Sequence, residues 1–417
     1  MEAAAELGTR RRARRRALGL VATSHAGQHM YSGLLPLTYP AILVDFHLNY
    51  ATLGLAVGVI GVVGGLTQAS AGYVGQRVAA RWILGCQNLV VGLCAILGAL
   101  APTYPVFATG QGLALLGSSQ QHPVGSSVAA RVYPERRGTA LSVATIGGSV
   151  GSLIIPIPAA LLIADLGWRP TLLILAVPLF LLGLLLLLTF PPVPGDRGKG
   201  VPRPGLRPHL PRIRRDQLVN PRVAIFGVAA ATIAAGGRGL GTLNAFIPLY
   251  LRNGVHLPEA TVGVIFNVVL VGAVLGPILG GPLSDRLGRI PVLWGAYGLS
   301  AVAVLAFGMA SSLPLAGLAA LALIMGLVAY VENPLLQALV SDSIATSAQA
   351  GMFGFYFALS YGVGSLWIVA IGQVIQHLGF AAGFGVMAGS YVGAGLLLIP
   401  CVGSGRGRSS ASRGVPS

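Results

Sequence analysis

Hydrophobic residues fill long stretches of this chain, and short polar or charged segments separate them. A helix needs about 20 mainly apolar residues to cross the hydrocarbon core of a bilayer. Cutting the sequence at charged residues, Pro/Gly clusters and polar segments gives twelve stretches of suitable length. We therefore predict an all-α membrane protein with twelve transmembrane helices, at about 17–43, 53–75, 82–101, 105–130, 139–163, 169–190, 222–250, 260–283, 290–311, 314–338, 351–376 and 380–402.

A polar segment rich in Pro and Gly divides the spans into two blocks of six, and the blocks look like copies. His122-Pro123 recurs as Asn333-Pro334, Pro36 recurs as Pro248, and further matches keep nearly the same offset. Matches that recur in order indicate duplication. We predict two six-helix bundles related by pseudo-twofold symmetry. The predicted parts are a basic tail (1–16), an N-terminal bundle (17–190), a linker (191–221), a C-terminal bundle (222–402) and a second tail (403–417).

Composition supports a membrane location, since 54% of residues are hydrophobic, 9% are charged and the mean hydropathy is +0.78. In soluble domains, about a quarter of all residues are charged. The net charge of +16 would suggest nucleic acid in a soluble protein, but all of the 27 basic residues except Arg169, Arg238 and Arg252 fall in tails and loops on one predicted side. The positive-inside rule makes that side cytoplasmic. We predict a multi-pass inner-membrane protein with both termini cytoplasmic and no nucleic-acid partner.

The segment GPLSDRLGR between spans eight and nine is the most specific local motif. It makes a charged turn in which Asp285 can cap or pair near the start of a neighbouring helix, while Arg286 and Arg289 lie among lipid headgroups. Such pairing can stabilise one state of the transport gate. An ordinary basic loop is the alternative. The first-half copy, GYVGQRVAAR, has Gln76 in place of the acid, so we expect Asp285 to contribute more. The predicted gating residues are Asp285, Arg286, Gly288, Arg289, Arg77 and Arg81.

The same motif resembles the loop signature of the major facilitator superfamily. Two further strings, HAGQHMYSGLLPLTYP from His25 and QHPVGSSVAARVYPERRGTALSVATIGGSVGSLIIP from Gln121, are similar to the fosmidomycin-resistance-type efflux branch of that superfamily. The resemblance implies the major facilitator fold and proton-coupled export. It also implies a cavity lined by spans one, four, seven and ten, and a proton gradient in place of a cofactor.

Five ionisable side chains fall well inside predicted spans: His25, His29, His122, Arg238 and Glu332. A charged group at the bilayer centre costs about 3 kcal/mol or more, so it normally faces a cavity or a partner. All five lie on spans one, four, seven and ten. The helical spacing of His25 and His29 places them on one face of span one.

Each of these residues keeps more than one interpretation. Arg238 can bind an anionic substrate group bidentately, pair with Glu332 as a structural tie, or extend towards the outer surface. Glu332 can exchange a proton during transport, or it can serve only as the partner of Arg238. Histidines titrate near physiological pH, but His122 next to Pro123 can equally mark a kink. We predict substrate binding by Arg238, His29, Gln28, His122, Gln121, Asn244 and Asn333, and proton coupling by Glu332, His25 and His29.

The sequence shows no metal-ligand spacing and no Walker, Rossmann or nucleophile motif, so we predict no metal site, no ATP-driven pump and no enzyme. The leading hypothesis is a monomeric secondary transporter that exports a small anionic or amphiphilic compound by alternating access. An importer or symporter of an organic anion such as a carboxylate is the alternative. A membrane-bound sensor would need a signalling domain that neither short tail can hold.

Overall fold

The computed structural model describes residues 2–68, 78–193, 217–345 and 349–402. Helices make up its regular structure there, apart from one isolated bridge between Leu218 and Ile344. The α-helices are α1 (Glu2–Asp45), α2 (Tyr50–Gln68), α3 (Ala80–Ala99), α4 (Tyr104–Ser118), α5 (Gln121–Val132), α6 (Arg137–Ile154), α7 (Pro156–Leu166), α8 (Trp168–Thr189), α9 (Pro221–Ala234), α10 (Asn244–Leu249), α11 (Glu259–Leu287), α12 (Arg289–Gly308), α13 (Leu315–Ala329), α14 (Glu332–Asp342), α15 (Gln349–Phe357) and α16 (Leu366–Leu397). The predicted all-α class is confirmed.

Within the described ranges, eight helical stretches are long and apolar enough to cross a membrane. One of them, Met352–Cys401, leaves helical geometry at Gly379 and contains two predicted spans. The predicted spans that fall short of this criterion are one, four and seven. They fall short because they carry polar residues or are broken into shorter helices, and they hold His25, His122 and Arg238.

Several predicted spans consist of two helices. Span four breaks after Ser118 and resumes at Gln121, and span five breaks at Ile155 before Pro156. Proline has no N–H to donate to the preceding turn, which explains the break before Pro156, although Pro178 lies inside the uninterrupted helix α8. Span seven has the longest interruption, from Ala235 to Arg238, followed by a π-helical turn at Gly239–Leu243.

The first of two compact units contains Met1–Pro208 and Asn244–Asn267. Glycines allow its helices to approach closely, as expected where packing replaces the hydrophobic effect inside lipid. A Cβ atom at Gly147 or Gly151 of α6 would overlap the carbonyl groups of Ala22 and Ala26 on α1. A Cβ at Gly92 of α3 would lie 2.6 Å from the backbone nitrogen of Phe180 on α8.

The second unit contains His209–Leu243 and Val268–Ser417. It also uses glycine contacts, because a Cβ at Gly272 of α11 would lie 2.5 Å from the carbonyl oxygen of Leu323 on α13. Gly288 ends α11 with a φ of 94°, a left-handed conformation that strains any residue with a Cβ. The predicted domain boundaries stay a prediction.

Candidate functional site

Three predicted residues of the first unit meet as a histidine cluster, formed by His25 and His29 on α1 and His122 on α5. The ring centroids are 4.7 Å apart for His25 and His29, 4.8 Å for His25 and His122, and 5.7 Å for His29 and His122. His25 is buried, with 8% of its surface exposed, while His122 is exposed. The cluster therefore has one inner and one outer side.

Local sequence explains why these rings meet. His25 and His29 are one helical turn apart, so they share a face of α1. The interruption at Ser119 and Gln120 lets α5 begin beside this face. Gly148 of α6 supplies room, because a Cβ there would lie 2.8 Å from Nε2 of His25 and 3.0 Å from Cδ2 of His29. The glycine-rich character of predicted span five thus has a direct role at the cluster.

Hydrogen bonds orient two of the rings. The Nδ1 atom of His25 lies 2.7 Å from the carbonyl oxygen of Ala144. A carbonyl can only accept, so this nitrogen carries a proton and donates it. Nδ1 of His29 lies 3.0 Å from Oγ of Ser152. Neutral His25 therefore presents a bare lone pair at Nε2, and this atom is buried with no hydrogen-bond partner among the described residues.

A buried amide network lies next to the cluster and uses two predicted substrate residues. Nε2 of Gln28 donates to Oδ1 of Asn88 at 3.2 Å, and Asn88 donates to Oγ of Ser24 at 2.7 Å. Ser24 in turn donates to Oε1 of Gln121 at 2.7 Å, and that oxygen also accepts from Gln87. Gln28 and Gln121 thus join α1, α3 and α5. Sequence reasoning missed Ser24, Gln87 and Asn88, although Gln87-Asn88 interrupts an otherwise apolar span.

Arg238, in the second unit, lies in the interruption of span seven. Helix α9 ends at Ala234, and closely packed glycines follow. A Cβ at Gly237 would overlap the ring of Tyr391, and a Cβ at Gly239 would overlap the ring of Tyr330. Irregular backbone at membrane depth is tolerated only when protein groups satisfy it. Here the Tyr391 hydroxyl donates to the carbonyl of Gly237.

The guanidinium of Arg238 has partners in three directions. Its Nε donates to Oε1 of Glu332 at 3.2 Å, Nη1 donates to the carbonyl of Ser360 at 2.6 Å, and Nη2 donates to the carbonyl of Ala231 at 2.5 Å. The guanidinium carbon lies 4.7 Å from the ring centroid of Tyr361. Side-chain exposure is 5% for Arg238 and 1% for Glu332, so this is a buried ion pair.

Glu332 is the first residue of α14, where the helix dipole favours negative charge. Its second oxygen, Oε2, is buried and makes no hydrogen bond of ordinary geometry among the described residues, although the hydroxyl of Tyr297 is close enough to interact with the carboxylate. The following residue, Asn333, donates to the hydroxyl of Tyr361 at 2.7 Å and accepts from Gln337 at 3.0 Å. Asn333 is thus part of the same polar region as the ion pair. The predicted residue Asn244 does not belong to this polar region, because it starts α10 and is part of the first unit.

Among the predicted gating residues, Arg289 pairs with Asp285. Its Nη1 lies 2.5 Å from Oδ1 of Asp285 and donates to Oγ of Ser284 at 2.6 Å, while its Nε lies 3.4 Å from Oδ2 of Asp342 at the end of α14. Arg286 is exposed. In the first-half copy, Arg81 lies over the ring of Trp82, and Arg77 falls outside the described residues.

Two arginines from the loops predicted on the opposite side also have acidic partners. Arg169 bonds to Asp45 at 2.9 Å, and Arg252 bonds to Glu259 at 2.9 Å. Asp45, Arg252 and Glu259 line one cavity of about 650 Å³ in the first unit. Sequence reasoning did not include these residues in a site.

The model of the Major Facilitator Superfamily matches residues 21–365 and 228–417. The chain belongs to this superfamily. The fold of the chain agrees with this family. The D-xylose-proton symporter structure superposes on it with a TM-score of 0.74 at 15% identity, covering 92% of this chain and 97% of that one. The nucleoside transporter NupG superposes with a TM-score of 0.71 at 15% identity, covering 92% of this chain and 98% of that one.

Two curated relatives are named for drug resistance and for efflux. The fosmidomycin resistance protein of Escherichia coli (strain K12) is 25% identical over 368 residues, which are 86% of each chain. An MFS-type efflux pump of Mycolicibacterium smegmatis is 29% identical over 252 residues, which are 60% of this chain and 54% of that protein. The predicted family, twelve-helix fold and resemblance to the fosmidomycin-resistance branch are confirmed. This major facilitator protein is a multi-pass membrane transporter of small molecules and not an enzyme.

In this transporter the contacts around Arg289 lead to a prediction about the gating loop. Asp285→Asn removes the ion pair with Arg289 and should slow transport several-fold. The free energy of unfolding should fall by at most about 1 kcal/mol, because both side chains of the ion pair are partly exposed. Initial transport rates and thermal unfolding of purified protein measure the two effects. Gln76→Ala in the first-half copy is the comparison, and an equal loss of rate in both variants would contradict the predicted asymmetry.

Proposed function

We propose that this transporter exports a small anionic or amphiphilic compound in exchange for protons, by alternating access in the inner membrane. The similarity to the fosmidomycin resistance protein over 86% of both chains supports export of such a compound. The basic tails and loops support cytoplasmic termini.

The buried Arg238–Glu332 pair is the observation on which this proposal depends most. Placing two charges in a low-dielectric interior costs several kcal/mol per ion before their attraction is counted, so a purely structural pair is a poor source of stability. Buried ionisable groups in membrane proteins commonly mark substrate or proton pathways. Oε2 of Glu332, which does not bond to Arg238, offers a place for a proton, and Arg238 offers a positive charge for an anion.

Proton binding and Arg238 are coupled through Glu332. While Glu332 is ionised, it holds the Nε of Arg238, and the other two nitrogens bond to backbone carbonyls. Protonation at Oε2 neutralises the carboxyl group and weakens its hold on the guanidinium. An amphiphilic substrate whose donor group binds the ionised carboxylate would compete with this proton for Glu332. Such competition is what exchange of substrate for protons requires.

The same geometry supports a second candidate, proton symport of an organic anion. An anion that binds Arg238 replaces the ionised carboxylate of Glu332, and it does so most easily when Glu332 is protonated. Proton and anion then occupy the protein together, which is the condition for movement in the same direction. For a strictly anionic substrate this sign of coupling favours the symporter.

Transport into proteoliposomes under opposite pH gradients separates the two candidates. With labelled fosmidomycin as the probe, exchange predicts accumulation when the vesicle interior is more acidic than the bath. Symport predicts accumulation when the bath is more acidic. Vesicles without protein and vesicles with a protonophore are the controls. Accumulation that is equal under both gradients and unaffected by the protonophore would contradict proton coupling of either kind.

A further inference from the structure

The histidine cluster has a property that neither the transport family nor the proposed proton step requires. Its candidate donor atoms, one nitrogen from each of His25, His29 and His122, all lie within 4.8 Å of one another. The spacing along the sequence gave no sign of this, because His122 comes from a different span. Three histidines that converge from two helices are the donor set of open tetrahedral zinc sites.

The arrangement of the rings fits a metal ion. In a tetrahedral site with metal–nitrogen bonds of about 2.0 Å, neighbouring imidazole centroids lie about 5 Å apart. The observed separations of 4.7, 4.8 and 5.7 Å lie around that value. The rings are also steeply inclined to one another, at 75° to 89°, rather than stacked. Side-chain rotations that move each donor nitrogen by about an ångström would bring all three nitrogens to bonding distance from one metal ion.

Hydrogen bonds outside the cluster prepare the donor nitrogens. Metal-binding histidines nearly always donate their other ring N–H to a backbone carbonyl, a carboxylate or water, which fixes the tautomer. His25 donates its Nδ1–H to the carbonyl of Ala144, and its Nε2 is buried and unpartnered among the described residues. Nδ1 of His29 lies 3.0 Å from Oγ of Ser152, a hydroxyl that can accept its proton in the tautomer that leaves Nε2 free for a metal. An unsatisfied buried acceptor is costly, and a metal ion would satisfy it.

We propose that His25, His29 and His122 form a binding site for a divalent transition-metal ion such as Zn²⁺. Neutral imidazole suits Zn²⁺ and its neighbours in the first transition series, whereas Mg²⁺ and Ca²⁺ require oxygen ligands. The exposed side of His122 gives the ion a route in and leaves the fourth coordination position open to water or an anion. Because the ligands come from α1 and α5, bound metal joins these two helices of the first unit.

Direct metal binding by purified, chelator-treated transporter in detergent tests this site. Titration with ZnCl₂ should show one ion bound per chain, and Co²⁺ in its place should give the intense visible absorption of a tetrahedral site. His122→Gln should weaken Zn²⁺ binding at least about tenfold and abolish the Co²⁺ band. This variant is chosen because His122 is exposed and its side chain makes no hydrogen bond to the described residues. His377→Gln, outside the cluster, is the matched control and should change neither measurement.

A second variant tests the geometry of the cluster rather than its ligands. Gly148→Ala adds a methyl group against His25 and His29 without removing a donor, and it should also weaken Zn²⁺ binding. Zinc should raise the melting temperature of the unaltered protein and of His377→Gln, but not that of His122→Gln. Absence of stoichiometric binding, or binding that His122→Gln leaves unchanged, would overturn the proposal.

Discussion

Arg238→Ala is expected to abolish transport and to destabilise the second unit. Removing the guanidinium leaves Glu332 buried with 1% exposure and no positive partner, and breaking a buried pair from one side typically costs about 3–5 kcal/mol. It also leaves the carbonyls of Ser360 and Ala231 without their donors. Loss of activity in this variant alone would therefore not separate a substrate role from a structural one.

The double variant Arg238→Ala/Glu332→Ala provides that separation. It removes both charges together, and uncharged replacements of a buried pair are often neutral for stability. We expect its melting temperature to recover towards that of the unaltered transporter while uptake into proteoliposomes stays absent. Arg238→Lys keeps the charge but not the three-way donor geometry, so we expect it to fold with a transport rate reduced at least about tenfold. If transport recovered in the double variant, Arg238 would be only a structural tie.

The pairing of Arg238 with Glu332 shows how far the sequence could predict the site. Hydropathy identifies both residues as charges inside spans, and such charges must find a partner or a cavity. Because Arg238 and Glu332 are the one cation and the one acid well inside the predicted spans of the second bundle, pairing was an evident possibility. The carbonyl partners Ser360 and Ala231 could not be predicted, because they depend on a helix interruption and a π-helical turn at Ala358–Gly362.

The histidine cluster and its amide network show more clearly which contacts the sequence cannot predict. Periodicity placed His25 and His29 on one face of α1, but it could not place His122 beside them, since that depends on the packing of α5. The same holds for Gln87, whose amide meets Gln121 only through the contact of α3 with α5. Gly148 could be noted as small, but its role at the rings depends on the close approach of α6 to α1.

Helix interruptions follow the same division. The break before Pro156 could be predicted, because proline's missing N–H and fixed ring are local properties. The break at Ser119–Gln120 fits the missing N–H of Pro123, which would otherwise bond to the carbonyl of Ser119, whereas the break at 235–238 has no proline in it or in the following turn. The second of these is stabilised by distant groups, such as Tyr391 bonding to Gly237. Local sequence therefore predicts the spans and the breaks near proline, whereas tertiary contacts determine the break in span seven.

Glu332→Gln should uncouple transport from the pH gradient and should destabilise the protein less than Arg238→Ala does. Glutamine has nearly the same shape, and its amide oxygen can still accept from the Nε of Arg238, which lies 3.2 Å from Oε1 of the native carboxylate. It cannot gain or lose a proton, so no proton can be exchanged at this position. We expect substrate counterflow between equal concentrations to continue, while accumulation driven by an imposed pH gradient falls at least about tenfold.

Asp165→Asn is the matched control for this variant, because Asp165 is an exposed carboxylate on α7 of the first unit. It should leave both counterflow and gradient-driven accumulation unchanged. Gradient-driven accumulation that persists in Glu332→Gln would assign coupling to another titratable group. The remaining predicted candidates are His25 and His29, whose replacement by Gln should then remove the gradient dependence that Glu332→Gln had left. Loss of coupling in Glu332→Gln alone, with counterflow retained, places the proton at the partner of Arg238 and makes the buried pair the link between proton and substrate.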